Sequence, residues 1–204
     1  MELKVAGSLV TRPRQIIPQL MKESSRRSYL ILVSLFGVSV AFDMASSLLL
    51  GDLLPLLIIV AGAICIGPLI GVIYWFIMSF LLGISARLLG GEVDQEETRQ
   101  LVAIASIPAI FKLVITVICI LFFGSEIFTN STAIAESSIL LMVIYMVTFV
   151  AKLVLIFFYY FTLIQGCSEI HQMTTGKALG AVILSMIGLI AISVFVNLIL
   201  NILI

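Results

Sequence analysis

Asp43, Lys112 and Lys152 are ionisable side chains set inside apolar runs long enough to cross a membrane. A charge at the centre of a bilayer costs about 2.5–3.5 kcal/mol on insertion scales, so such groups pair with one another or line a path for a polar ligand. One carboxylate and two ammonium groups leave one cation over. Depth along each run suggests the match. At 1.5 Å per residue, Asp43 lies roughly 21 Å from the inner end of its run, Lys112 roughly 17 Å, and Lys152 near the middle of its own. This arithmetic predicts an Asp43–Lys152 pair, with Lys112 left to backbone carbonyls, water, or an anionic lipid or substrate group. Two readings share the observation. The charges fix helix packing, or they form a translocation or lipid-headgroup site. A spare cation in a dry bundle is the part that packing alone explains poorly.

No other constellation suggests catalysis. The chain has no GxSxG, no HExxH and no P-loop, the spacings that seat a nucleophile, a zinc ion or a nucleotide phosphate. Its single histidine, His171, falls in a loop, where solvation or a helix-capping role is expected. Glu92, Asp94, Glu96 and Glu97 form an acidic cluster without a histidine nearby. Asp94 and Glu97 have capping-box spacing ahead of an apolar run, so the cluster reads as a helix start rather than a metal site. Cys65, Cys119 and Cys167 make no CxxC pair and read as small apolar fillers. Asn130-Ser131-Thr132 matches a glycosylation sequon, a weak signal on its own. The sequence thus calls for no enzyme activity, no cofactor and no metal. Eleven basic residues balance eleven acidic ones, which argues against a nucleic-acid partner.

The elements that must position these charges are membrane helices. Hydrophobic residues make up 62% of the 204 positions, against about 45–50% in a soluble domain, and the mean hydropathy is +1.28. A spanning helix needs about 20 apolar residues. Five stretches reach that length, near Tyr29–Leu50, Leu53–Leu89, Leu101–Phe123, Ile139–Ile164 and Ala178–Leu203. The runs are continuous rather than alternating, so the fold class is all-α, a polytopic helical bundle of five spans. Residues 1–28 form a basic segment, read equally as a topogenic flank or as an interfacial helix interrupted or begun by Pro18. Residues 29–204 form the membrane domain.

Lys4, Arg12, Arg14, Lys22, Arg26 and Arg27 precede the first span, Arg87 and Arg99 follow the second, and Lys177 precedes the fifth. The loops after the first and third spans carry Asp52, Glu126 and Glu136 and no basic residue. The positive-inside rule then places the N-terminus in the cytoplasm and the C-terminus, ending at Ile204, outside. The second run is too long for one perpendicular crossing. Gly67-Pro68 at its middle predicts a kink, with a re-entrant pair as the lesser alternative. Gly67–Gly71 and Gly176–Gly180 are GxxxG patterns, which suit close helix packing within the chain.

The loops carry a further signal. Gly90-Gly91, then Arg99, then Ile104-Ala105-Ser106-Ile107-Pro108, resembles the Yip1 family, as does Glu169-Ile170-His171 through Lys177-Ala178 ahead of the last span. Arg12-Pro13 near the start fits as well. The resemblance implies an integral membrane protein with a five-helix Yip1 domain and no catalytic site. Gly90, Gly91, Arg99, Pro108, Glu169, His171 and Lys177 would then mark its characteristic cytoplasmic loops. Eukaryotic members contact Rab GTPases, but this chain lacks their DLYGP-type motif and long cytosolic segment, so that property is not carried over. A short domain is similar to the bacterial or archaeal branch, some of whose members are associated with ABC-type permeases. The resemblance therefore implies a non-enzymatic accessory or scaffold subunit in a prokaryotic cytoplasmic membrane. Its partners would be lipid and a membrane protein such as a transporter subunit, with homo-oligomerisation left open. The alternative is a small transporter or channel for an ion, solute or lipid, built on Asp43, Lys112 and Lys152.

Overall fold

A computed structural model describes residues 13–131 and 133–203. Lys4, Arg12, the Thr132 of the sequon and Ile204 lie outside the described residues. The described chain is helical: α1 (Pro13–Glu23), α2 (Arg26–Ser47), α3 (Leu56–Leu88), α4 (Gln95–Ala105), α5 (Ile107–Phe123), α6 (Ala133–Glu136), α7 (Ile139–Ile170) and α8 (Thr175–Leu203), with 3₁₀ turns at Leu50–Asp52 and Gly124–Phe128. Among the described residues, five helical segments are long and apolar enough to cross a membrane: Arg26–Ser47, Leu56–Leu88, Gln95–Phe128, Ile139–Ile170 and Thr175–Phe195. None of the most apolar window of Ile139–Ile170 is buried. Side chains such as Leu140, Val147 and Phe157 are exposed on it, an arrangement that suits a hydrocarbon surround.

The chain divides into two units. The first comprises 13–24, 74–105 and 160–203, and the second comprises 25–73 and 106–159. The boundaries follow from local chemistry. Ser25 caps α2 by accepting the Ser28 N–H, so α1 is separate from the first span. Between α4 and α5 the expected single helix breaks at Ser106. Pro108, the second residue of α5, has no N–H to give the Ile104 carbonyl and its ring crowds that turn. By contrast, α3 runs as one helix through Pro68, which excludes the re-entrant pair.

In the first unit α1 packs on α4. Its helix begins at Pro13, a preorganised first-turn residue, and continues through Pro18. Ile17 is fully buried, so α1 packs against protein as well as whatever surface lies outside it. Leu82, Leu101, Leu163 and Ala178 share this unit's interior. In the second unit Phe42, Ala45, Ile59, Ala63 and Phe128 form a core, and α2 runs beside α5. The backbones of α2 and α3 cross in near contact. A Cβ on Gly37 would collide with the Gly67 carbonyl and stand 2.5 Å from the Gly71 nitrogen. The Gly67–Gly71 pattern thus serves packing within the chain. Gly176–Gly180 makes no such crossing: Gly176 faces open space and Gly180 meets only the tip of Leu89.

Candidate functional site

The charges of the second unit resolve differently from their expected pairing. Lys112 donates to Asp43 Oδ2. Depth along a helix fixes height but not which helix is the neighbour, and here α2 lies against α5. The two heights differ by less than a turn, a gap that a flexible lysine stem closes. The pair is lopsided. The Lys112 side chain is 9% exposed and that of Asp43 is 44% exposed. Thr116, one turn beyond Lys112, donates to its carbonyl.

Asp43 opens onto a polar cavity of about 450 Å³. Its walls include Lys152, Tyr145 and Thr148 from α7, Ser46 from α2, and Glu126 and Asn130 from the turn after α5. Lys152 is the spare cation, and it has no ion-pair partner among the described residues. From sequence alone Glu126 is only a charge in the loop after the third span. One of its oxygens, Oε1, accepts from the Ile134 N–H at 2.7 Å and from Ser131 Oγ at 3.5 Å. The other, Oε2, is buried without a hydrogen-bond partner. An acidic residue in a hairpin without basic residues is the available signal, but nothing in one dimension places it in the cavity that Lys152 lines.

The family-like loops meet in the first unit. Helix α3 ends in a Schellman motif: Gly90 has φ +81°, its N–H bonds to the Arg87 carbonyl at 3.1 Å, and the Gly91 N–H bonds to the Ala86 carbonyl at 2.9 Å. The first glycine therefore supplies the left-handed turn. The second supplies room, because a Cβ on Gly91 would lie 2.6 Å from Met173 Cε and 3.2 Å from His171 Cβ. Helix α7 ends the same way without a glycine. Gln172 has φ +49°, with the Met173 N–H on the Ser168 carbonyl at 3.1 Å and the Gln172 N–H on that of Glu169 at 3.4 Å.

His171 joins the two ends. It is fully buried, which excludes the solvated alternative of the two expected for it. Its carbonyl accepts the Glu92 N–H at 3.1 Å, and its Nδ1 lies 3.1 Å from the Glu92 carbonyl. A carbonyl only accepts, so Nδ1 carries the proton. Nε2 is then the acceptor for Thr98 Oγ1, 3.3 Å away, a hydroxyl that also lies 2.7 Å from the Asp94 carbonyl. Burial lowers the histidine pKa, while the Glu92 bond and the charges of Glu97 and Asp94 act in the opposite sense. The ring is a neutral clasp between loops.

Arg14 completes this face, although in the sequence it is one basic residue among several. It donates through Nε to Gln165 Oε1 at 2.7 Å, and through Nη2 to Thr175 Oγ1 at 2.6 Å and Ser168 Oγ at 3.2 Å. It thereby ties α1 to the end of α7 and the start of α8. Asp94 caps α4 through the Glu96 N–H at 2.7 Å, one residue earlier than capping-box spacing anticipates. Arg99 pairs with Glu96 at 3.3 Å, and its carbonyl accepts from Trp75 Nε1 at 2.6 Å. Glu169 and Lys177 are exposed beside the clasp. Pro108 belongs to the second unit, where it is buried at the α5 start. Among the described residues, no three His, Cys, Asp or Glu side chains converge as a metal would require.

Long apolar helices with outward-facing hydrocarbon side chains define a multi-pass α-helical membrane protein. The chain matches the Yip1 domain over residues 6–200 and belongs to that family. No curated protein and no solved structure gives a significant match.

Proposed function

We propose that this Yip1 domain protein is a non-enzymatic accessory or scaffold subunit that holds another membrane protein, such as an ABC-type transporter, in a prokaryotic cytoplasmic membrane. Its N-terminus faces the cytoplasm, its C-terminus faces outward, and the surface offered to the partner is the one built from Gly90–Arg99 and Glu169–Lys177. The observation that carries this reading is the clasp. Two loops about 80 residues apart are bonded through His171 and Glu92 and braced by Arg14, so the surface exists before any partner arrives and little ordering entropy is lost on binding. The test is co-purification in mild detergent. A transporter permease should accompany the wild-type chain and be lost with the charge reversals Glu169→Lys and Lys177→Glu, both on exposed side chains. Retention of the permease by both variants would move the interface elsewhere, and isolation of the chain alone would sink the proposal.

A second reading is favoured by one observation, the cavity that reaches Asp43 and Lys152. It is a small transporter or channel for an ion, solute or lipid. Flux in proteoliposomes that vanishes with Lys112→Ala or Lys152→Ala would support it, and flux indifferent to both would dismiss it.

A further inference from the structure

We infer that the cavity of the second unit is a binding site for a zwitterionic ligand carrying a primary ammonium and a phosphate, in first place the phosphoethanolamine headgroup of a lipid. The charges of the site dictate this. Asp43 and Lys112 neutralise each other. What remains on the cavity wall is one cation, Lys152, and one carboxylate, Glu126. They are not paired with each other, so each is available to one end of a dipolar guest.

The details sharpen the two ends. Tyr145, Thr148 and Lys152 recur at helical spacing on α7 and all line the cavity, so one stripe presents a phenol, a hydroxyl and an ammonium. Helical side chains lean toward the N-terminus of their helix, which directs the Lys152 stem toward Thr148 and Tyr145. Thr148 spends its proton on the Tyr145 carbonyl at 2.9 Å, leaving the lysine as the strong donor for an anion. At the other end Glu126 Oε2 is shielded from solvent and lacks a donor, while Oε1 is occupied by the Ile134 N–H. A buried anionic oxygen without a donor is a deficit. A primary ammonium meets it with N–H bonds, whereas a choline headgroup has none to give. The volume, about 450 Å³, falls within the usual range of small-ligand sites. The outward residues of α7 beside the stripe, Met146, Val147 and Val150, are apolar and exposed, which suits acyl chains and favours a lipid over a free solute.

The inference goes beyond both readings above, because occupancy requires neither a protein partner nor transport. Co-purification and flux can each fail while binding stands. The test uses the full chain in detergent, titrated with dioleoyl phosphatidylethanolamine, phosphatidylcholine and phosphatidylglycerol and read by native mass spectrometry. Phosphatidylethanolamine should bind about tenfold tighter than either of the others, the worth of one charge-assisted hydrogen bond. Lys152→Met and Glu126→Gln should each abolish that preference. Lys152→Arg, which keeps the charge, should preserve it, as should Arg87→Met at the far end of α3. Displacement of the lipid by soluble glycerophosphoethanolamine at similar concentration would uphold the site and assign it to a free zwitterion. Equal binding of all three lipids, tighter binding of phosphatidylglycerol, or a preference untouched by both Lys152→Met and Glu126→Gln would overturn the inference.

Discussion

Asp43→Asn should destabilise the protein more than Lys112→Met, although each removes one partner of the same ion pair. The reason is unequal burial. Two unit charges about 4 Å apart attract by about 4 kcal/mol at an effective dielectric constant near 20, and removal of one partner from a buried pair costs about 3–5 kcal/mol because the other is stranded. With Asp43→Asn the stranded group is Lys112, only 9% exposed at its side chain, so a loss of about 3 kcal/mol is expected. With Lys112→Met the stranded group is Asp43, 44% exposed and open to the cavity. The carboxylate keeps access to polar surroundings and the methionine fills the vacated volume, so about 1 kcal/mol is expected. The double variant buries an amide and a thioether in place of two charges and should lie within about 1 kcal/mol of wild type. The cycle then gives a coupling of about 3–4 kcal/mol. Reversible unfolding in mixed micelles, followed by helicity, measures all four proteins. Equal single-variant costs would refute the burial argument. Additive costs would refute the pairing itself, and coupling found instead between Asp43→Asn and Lys152→Met would restore the pairing that depth alone suggests.

Gly37→Ala should lower stability by about 3 kcal/mol, the upper end for an overpacked site, because its Cβ meets the Gly67 and Gly71 backbones. Gly62→Ala, with nothing within 4 Å, should be neutral or stabilising by up to about 1 kcal/mol, and thermal unfolding of the two variants side by side is the check. Gln172→Gly should stabilise by roughly 0.5–1 kcal/mol, since the φ of +49° strains a residue bearing a Cβ. A lowered melting temperature for that variant would show that the Gln172 side chain does more than its backbone suggests. His171 is held below its ordinary value of 6.5, chiefly by desolvation. The unfolded chain takes up a proton below pH 6.5 before the folded ring does, so this contribution is full above that pH and is lost as pH falls toward the depressed folded value. Wild type should lose stability across that window relative to His171→Gln, and parallel pH profiles for the two would contradict the buried neutral clasp.

Much of the local structure was legible because its causes are local. Gly90-Gly91 ends α3 since only a residue without a Cβ takes a left-handed turn freely and leaves room for Met173. Pro108 starts α5 since it has no proton for the preceding turn. At Pro68 the helix α3 continues uninterrupted, which removes the re-entrant alternative, because a long helix with packed neighbours absorbs one missing bond. Of the two expectations for His171, solvation and a helix-capping role, burial removes the first. A polar residue in a loop reads as exposed until the second loop that covers it is known, and that loop lies 79 positions away.

By itself, the sequence determined the solvent, the helices and the roster of unusual charges, because hydropathy, caps and breakers act over a few residues along one chain. The tertiary structure alone decided which lysine neutralises Asp43, which remains free, that Glu126 shares the free lysine's cavity, and that Arg14 and His171 tie the loops of one unit together. Each of these depends on which helix lies beside which. Neighbours across a membrane helix pair are chosen by the fit of small residues such as Gly37, Gly67 and Gly71, a property of two surfaces in space that no count along the chain records.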